Sequence, residues 1–245
     1  MTEAPPRAVL LDIEGTTTPV EFVYQVLFPF ARQHAGELIR RRHLSQGVSA
    51  DIHGLREQYR ADVENGLGPP AWEGGTVDSE LESVIRYVHW LMDQDRKATA
   101  LKSLQGKIWE AGYLSGRLRG QIYPDVLPAF RRWRGQGRGV YIFSSGSVLA
   151  QKLLFAHTTE GDLTGYISGY FDTTTGAKTA ADSYRSISAA TGLPPAEFLF
   201  LSDVAAELEA ARAAGMETAL CVRPGRPEPD TPHRKIHTFD EVCPL

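Results

Sequence analysis

Cysteine is scarce in this chain: Cys221 and Cys243 are the only two thiols among 245 residues. Two cysteines exclude a disulfide scaffold and fit the reducing cytosol, where a thiol near a strand serves as a small apolar residue. No apolar run approaches the roughly 20 residues that a membrane-spanning helix needs. Residues 1–7 are short, carry Pro5 and Pro6, and lack the apolar stretch of a signal peptide. An excess of charge of one sign is also missing. Twenty-six Lys and Arg face 30 Asp and Glu, a net charge of -4, which argues against a nucleic-acid surface or a membrane-seeking face. Arg40, Arg41 and Arg42 read as the solvated end of a helix. Neither an internal repeat nor a low-complexity tract is present. What remains is a chain that is 42% hydrophobic, ample for a buried core, and long enough for one large domain or a core with a sizeable insertion.

Residues 8–11, Ala-Val-Leu-Leu, are short, apolar and without alternation, the pattern of a strand buried on both faces. Helical periodicity then takes over, as in Leu81, Ile85, Val88 and Met92, and loops at residues 65–70 and 74–75 divide it. A hundred residues of helix after one strand is too long for a crossover, so residues 20–119 read as an inserted helical domain. From Tyr123 onward strands and helices alternate. Helices are expected over 126–134 (entered through Pro124 and Asp125), 148–156, 180–191 and 205–214, with strands at 140–143, 169–171, 198–201 and 218–222. Gly192 and Pro194 give the third of these helices a stop signal. Residues 223–232, with four prolines, read as a surface loop. Such alternation predicts an α/β fold with a mostly parallel sheet and right-handed crossovers.

Three of the buried strands end in chemistry. The first ends in Asp12 and Glu14, one residue apart, followed by Gly15 and three threonines. In extended backbone, side chains at i and i+2 point to the same side. A turn explains the segment equally well when it is taken alone. The second strand ends in Ser144 and Ser145, the third in Asp203. A parallel sheet puts all three tips on one edge, where such folds place ligands. Carboxylate oxygens suit Mg2+ rather than a soft metal, and Mg2+ takes only one or two carboxylates beside a substrate phosphate. The run Ser144-Ser145-Gly146-Ser147, between strand and helix, offers hydroxyls and backbone N–H groups to a phosphate, or simply a helix cap. Lys178 precedes a helix; a lone lysine is ordinarily solvated, but a phosphate beside carboxylates needs a positive partner.

This set of residues resembles the motifs of the haloacid dehalogenase-like phosphohydrolases: Asp12-Ile13-Glu14-Gly15-Thr16, then Ser144, Lys178, and Asp203 with Glu207. One position departs from the usual pattern, since Glu14 stands where the family carries a second aspartate. That departure, the full opening from Leu11 to Pro19, and the stretches Tyr141-Ile142-Phe143-Ser144-Ser145-Gly146-Ser147 and Gln151-Lys152-Leu153-Leu154-Phe155 are similar to the enolase-phosphatases, or acireductone synthases, of methionine salvage. So are Asp95-Arg96-Lys97, the segment from Leu101 to Trp109, and Phe200-Leu201-Ser202-Asp203-Val204.

The resemblance implies a Rossmann-like core with helices on both faces of the sheet, residues 1–19 and 120–245, and an inserted α-helical cap, residues 20–119. It implies a single Mg2+ held by Asp12 and Asp203 through carboxylates and by Glu14 through its backbone carbonyl. It makes Asp12 the nucleophile that accepts the phosphoryl group and Glu14 the general acid and base. Ser144, Ser145 and Lys178 would hold the phosphate, and Glu207 would orient a metal ligand or cap its helix. The implied substrate is 2,3-diketo-5-methylthiopentyl-1-phosphate, enolised and then dephosphorylated to an acireductone, in a cytoplasmic monomer with neither nucleic acid nor membrane as partner. One acidic cluster suggests that one metal serves both half-reactions.

The cap would exclude water and line the methylthio end. Trp109 and Tyr113 are candidates for that lining, although helix packing explains each singly. Arg96 and Lys97 would either meet an anionic substrate or form a solvated helix face. His34, His43, His53 and His89 show no metal-ligand spacing, and His157 reads as a favourable helix end. The rivals are a related sugar phosphatase, which predicts the same core with another cap; a dehalogenase, which needs no magnesium carboxylates; and a non-catalytic metal- or phosphate-binding module, which would have lost an essential carboxylate.

Overall fold

The computed structural model of the protein describes residues 5–96 and 98–244. The chain divides into two compact units: Met1–Val23 with Arg119–Leu245, and Tyr24–Leu118.

The first unit is built on a parallel sheet of six strands. These are β1 (Ala8–Leu11), β2 (Gly139–Phe143), β3 (Gly169–Phe171), β4 (Phe198–Ser202), β5 (Glu217–Cys221) and β6 (Arg234–Ile236), in spatial order β3-β2-β1-β4-β5-β6. Every neighbouring pair is parallel, with Leu11 of β1 opposite Ile142 on one side and Leu201 on the other. All four residues of β1 are fully buried, so both faces of the sheet are covered. Ala8, Leu10, Phe143, Phe198 and Phe200 pack with Tyr184, Ile187 and Leu208 on one side. Trp133, Phe130 and Phe155 form a buried aromatic row elsewhere in the unit. Strand order reverses at β1: the chain leaves it toward β2 and β3, then returns through β4 on its other flank. Such a reversal opens a crevice at the carboxyl ends of β1 and β4.

The second unit is helical. Helix α1 (Val20–Phe22) belongs to the first unit and runs into a π-helical turn, Val23–Leu27; then come α2 (Phe28–Arg42), α3 (Gln46–Glu64), α4 (Val77–Asp93) and α5 (Thr99–Leu114). Helix α4 begins where the sequence specifies it. The Thr76 hydroxyl accepts the Ser79 amide at 3.1 Å, and Asp78 and Glu80 sit in the first turn, where the helix dipole favours anions. Its Leu81, Val84, Ile85, Val88 and Leu91 join Ala31, Ala35, Ile39, Leu55, Leu104 and Ile108 in one core, flanked by Tyr59, Trp72 and Trp90. Arg41 and Arg42 are exposed at the end of α2, as expected of a solvated helix terminus.

The remaining helices are α6 (Val126–Gly135), α7 (Val148–Ala156), α8 (Ala181–Thr191) and α9 (Ala205–Ala213). Gly192 closes α8 in the left-handed conformation at φ 72°. Two expectations are corrected, and one strand is added. Strand β6 falls beyond the proline-rich segment, in residues for which no element was expected; it is three residues long and offers no period to read. Arg223 is not part of an exposed loop but is buried. Asp125 does not cap α6 with its side chain, because its carboxylate is bound to Arg223 and to the Phe239 amide.

Candidate active site

Asp12 is the first residue past β1, its amide donating to the Leu201 carbonyl at 3.0 Å, so the strand ends with its carboxylate at the crevice. The chain then closes tightly. The amides of Thr16, Thr17 and Thr18 all donate to the Ile13 carbonyl, and Gly15 donates to Thr18 at 2.8 Å. Gly15 is required twice over: its φ is 72°, and a Cβ there would lie 2.1 Å from an Asp203 carboxylate oxygen. Asp203 follows β4 and thus reaches the same point from the neighbouring strand. Glu14 lies in the loop between them, half-buried.

Lys178 arrives from the segment between β3 and α8. Its carbonyl accepts the Tyr184 hydroxyl at 2.7 Å, and the Ser183 hydroxyl holds the Ala177 carbonyl at 2.7 Å. The ammonium contacts Asp12 Oδ1 and Glu207 Oε2, each at 2.6 Å. Glu207 also accepts the Ser202 hydroxyl at 2.8 Å, and that hydroxyl accepts the Val204 amide, starting α9. Glu207 therefore holds the lysine rather than capping its helix or binding Asp203, which corrects the role first given to it. Burial alone would lower the Lys178 pKa; the carboxylates of Asp12 and Glu207 outweigh it and hold the amine above its ordinary value.

The carboxylates are not balanced. Burial and then the Asp12 charge push Asp203 up; Arg226, at 3.4 Å, pulls the other way. Burial and Asp12 likewise raise Glu207 against the pull of Lys178. One buried ammonium among three carboxylates leaves excess negative charge, held entirely on oxygen donors. That donor set fits Mg2+. No group of three or more His, Cys, Asp or Glu is arranged as a metal cluster among the described residues.

Ser144 is buried at the end of β2, its hydroxyl accepting the Gly146 amide at 3.2 Å; Ser145 is exposed. The capping role falls to Ser147, whose hydroxyl accepts the Ala150 amide. Two residues outside the expected set shape this turn. Gln151 donates to the carbonyls of Gly146 and Phe171, both at 2.8 Å, and Asp172 accepts the Val148 and Thr174 amides. Asp172 follows β3 as Asp203 follows β4, and that shared position was the available signal. Arg226 and Arg223 lay in a segment too irregular to read.

In the helical unit, Trp109 donates to the Leu27 carbonyl at 2.9 Å and packs against Phe28, while Tyr113 is buried. Arg96 is paired with buried Asp62 at 2.9 Å, a structural contact; Lys97 lies outside the described residues. His34, His53 and His89 are engaged by Glu37, Glu57 and the Arg32 carbonyl, and His43 by Arg40. His157 closes α7 against the Leu153 carbonyl.

A doubly wound parallel sheet with a carboxylate pair, a serine and a lysine at its tips describes a class of hydrolase. A family model for haloacid dehalogenase-like hydrolase matches residues 6–215, and the chain belongs to that family. Enolase-phosphatase E1 of Synechococcus elongatus is 49% identical over 235 residues, covering 96% of both chains, and that of Cronobacter sakazakii is 46% identical over 238 residues, covering 97% of both. The crystal structure of the UTR4 protein of Saccharomyces cerevisiae superposes with a TM-score of 0.78 at 34% identity, covering 97% of this chain and 100% of that one. Within the superfamily the chain thus belongs with the enolase-phosphatases E1, and it is an enzyme. Likeness to a haloacid dehalogenase, RSc1362, at 19% identity and TM-score 0.53 reflects the fold alone. No helix among the described residues is long and apolar enough to cross a membrane.

Proposed function

We propose that this enzyme converts 2,3-diketo-5-methylthiopentyl-1-phosphate to the acireductone 1,2-dihydroxy-3-keto-5-methylthiopentene and phosphate, in methionine salvage, as a cytoplasmic monomer. The observation that carries the chemistry is the buried contact of Asp12 with Lys178 beside Asp203. An Asp12 oxygen attacks phosphorus and forms an acyl phosphate, and water then releases phosphate. Lys178 offsets charge on the transferring group, and Glu207 keeps the ammonium turned toward it. Glu14 protonates the leaving oxygen and later takes a proton from water. Ser144 and Ser145 bind phosphate oxygens. When bound by Asp12, Asp203 and the Glu14 carbonyl, Mg2+ supplies Lewis-acid polarisation of phosphoryl and carbonyl oxygens. In this reading residues 20–119 are the inserted helical cap.

The test is turnover of the diketone phosphate, followed by absorbance of the enol product and by free phosphate, for wild type and Asp12→Asn. The variant should stay folded and lose phosphate release by at least about 10³-fold, the order seen when a nucleophile is removed. Phosphate release at the wild-type rate by the folded variant removes Asp12 as nucleophile. Failure of the wild type to form the enol, while it cleaves an aryl phosphate, removes the substrate assignment.

A further inference from the structure

We infer that Arg223 is a positioning residue for the loop carrying Asp12 and Glu14, an inference that rests on the roles just given to those two acids. Arg223 is 3% exposed, and a guanidinium so far from water must have each of its donors met. Its Nη1 is held by Asp125 Oδ2 at 2.6 Å and by the His237 carbonyl at 3.4 Å. Its plane lies over the Tyr123 ring on one contact and the Phe239 ring on another, 4.3 and 4.4 Å from their centroids. Asp125 is fixed in turn by the Phe239 amide at 2.6 Å. The guanidinium is thus clamped by four residues of two separate segments, 123–125 and 237–239, before it reaches the loop.

What it then grips is one atom. Nε and Nη2 converge on the Thr16 carbonyl oxygen at 2.9 and 2.6 Å. The next carbonyl, that of Thr17, accepts the Tyr123 amide at 3.0 Å. The loop's own hydrogen bonds run from the amides of residues 16–18 back to Ile13, so they close the turn without orienting it in the unit. The Asp12 amide's bond to the Leu201 carbonyl fixes where the loop begins, and beyond that point orientation comes from these two carbonyls. It is critical here, because Gly15 has no room to move toward Asp203 and Glu14 precedes it directly. An ångström of misplacement at such a site costs about 10²-fold in rate. Lysine cannot replace the grip, since an ammonium lacks the planar fork and stacks less well between rings.

Arg223→Met and Arg223→Lys, with Asp125→Asn as a milder variant should the first fail to fold, test this in two ways. In steady-state hydrolysis of an aryl phosphate, kcat should fall about 10²-fold in Arg223→Met, less in Arg223→Lys and least in Asp125→Asn, with KM within about twofold of wild type throughout. Amide hydrogen exchange of the segment 12–18 should quicken at least about tenfold in the folded variants while the helices of the second unit keep their protection. A purely structural arginine would lower the unfolding temperature and leave both readouts unchanged in the folded fraction. Folded variants with kcat within twofold of wild type, a change confined to KM, or unaltered exchange at 12–18 would each overturn the inference. Exchange does not depend on turnover. A quickened segment in a protein whose Asp12→Asn form still released phosphate would uphold the positioning role and remove only the nucleophile.

Discussion

Both units bury acidic side chains, and they treat them differently. In the helical unit each buried anion is matched. Asp62, 1% exposed, accepts the Tyr87 hydroxyl at 2.7 Å, the Gln58 amide at 2.8 Å and Arg96 at 2.9 Å. Burial pulls its carboxyl up, but those donors, Tyr87 foremost, bring it below the usual carboxylate range. Asp51 has Lys107 at 2.6 Å, which also reaches Ser103. At the tip of the sheet, Asp12 and Glu207 share one buried lysine, and Asp203 has only the part-exposed Arg226 at 3.4 Å. The first arrangement specifies a fold. The second keeps negative charge uncompensated in a dry place, a cost that makes sense where a cation and a phosphate are to be received.

The sharpest way to break the comparison is to neutralise one anion in each unit. Asp203→Asn removes charge that burial and Asp12 already disfavour, so chelator-treated protein should unfold a few degrees higher than chelator-treated wild type. Phosphate release in saturating Mg2+ should meanwhile fall by about 10³-fold if Asp203 holds the metal as proposed, because the ligand loses its charge. Thermal unfolding and a phosphate assay decide it. A lower unfolding temperature without metal would mean that the tip is not over-anionic.

Asp62→Asn should do the reverse. It leaves Arg96 and Tyr87 without their acceptor charge and should destabilise the protein by about 2 kcal/mol at neutral pH, with activity of the folded fraction retained. The pH dependence has a definite sign. A carboxyl whose native pKa is depressed contributes fully above its unfolded value, near 4, and loses that contribution as pH falls through the native one. Denaturant unfolding should therefore show the gap between wild type and variant closing below about pH 4. A gap that persists unchanged at lower pH would mean that packing, not charge, sets the cost.

The sequence made the sheet tips legible because strand ends are marked by an abrupt change from apolar to polar, as at Leu11–Asp12 and Leu201–Ser202, and parallel topology then aligns them. The limits of the four helices from Val126 onward were legible to within a residue or two for a different reason: Gly192 and Gly215 are stops with a backbone cause. Long-range partnerships were not. Nothing near Arg223 announces that it crosses to Thr16, 207 residues away, nor that Asp125 gives up its cap to meet it. Glu207 had the spacing of a residue that serves Asp203, one turn on, and only the approach of Lys178 from another crossover shows where its charge goes. Strand β6 is too short to carry a period, and it is held by pairing with β5.

The smallest effect tests whether burial, rather than pairing as such, separates good charge contacts from idle ones in the helical unit. Arg32 grips Asp93 with two donors, Nε at 3.2 Å and Nη2 at 2.9 Å, a better fork than Arg96 offers Asp62. Yet both partners are about half exposed, 46% and 53%. Water competes for each charge, salt screens what remains, and the long arginine gives up side-chain freedom to hold the geometry. Removing the charge uncovers no buried acceptor, because Asp93 is simply rehydrated. The Arg32 carbonyl keeps its contact with His89 in any variant, as it belongs to the backbone. Arg32→Ala should therefore cost less than about 0.5 kcal/mol in denaturant unfolding, and that cost should fade when ionic strength rises from 0.05 to about 0.5 M. A loss as large as that of Asp62→Asn, insensitive to salt, would show that geometry outranks desolvation in this unit.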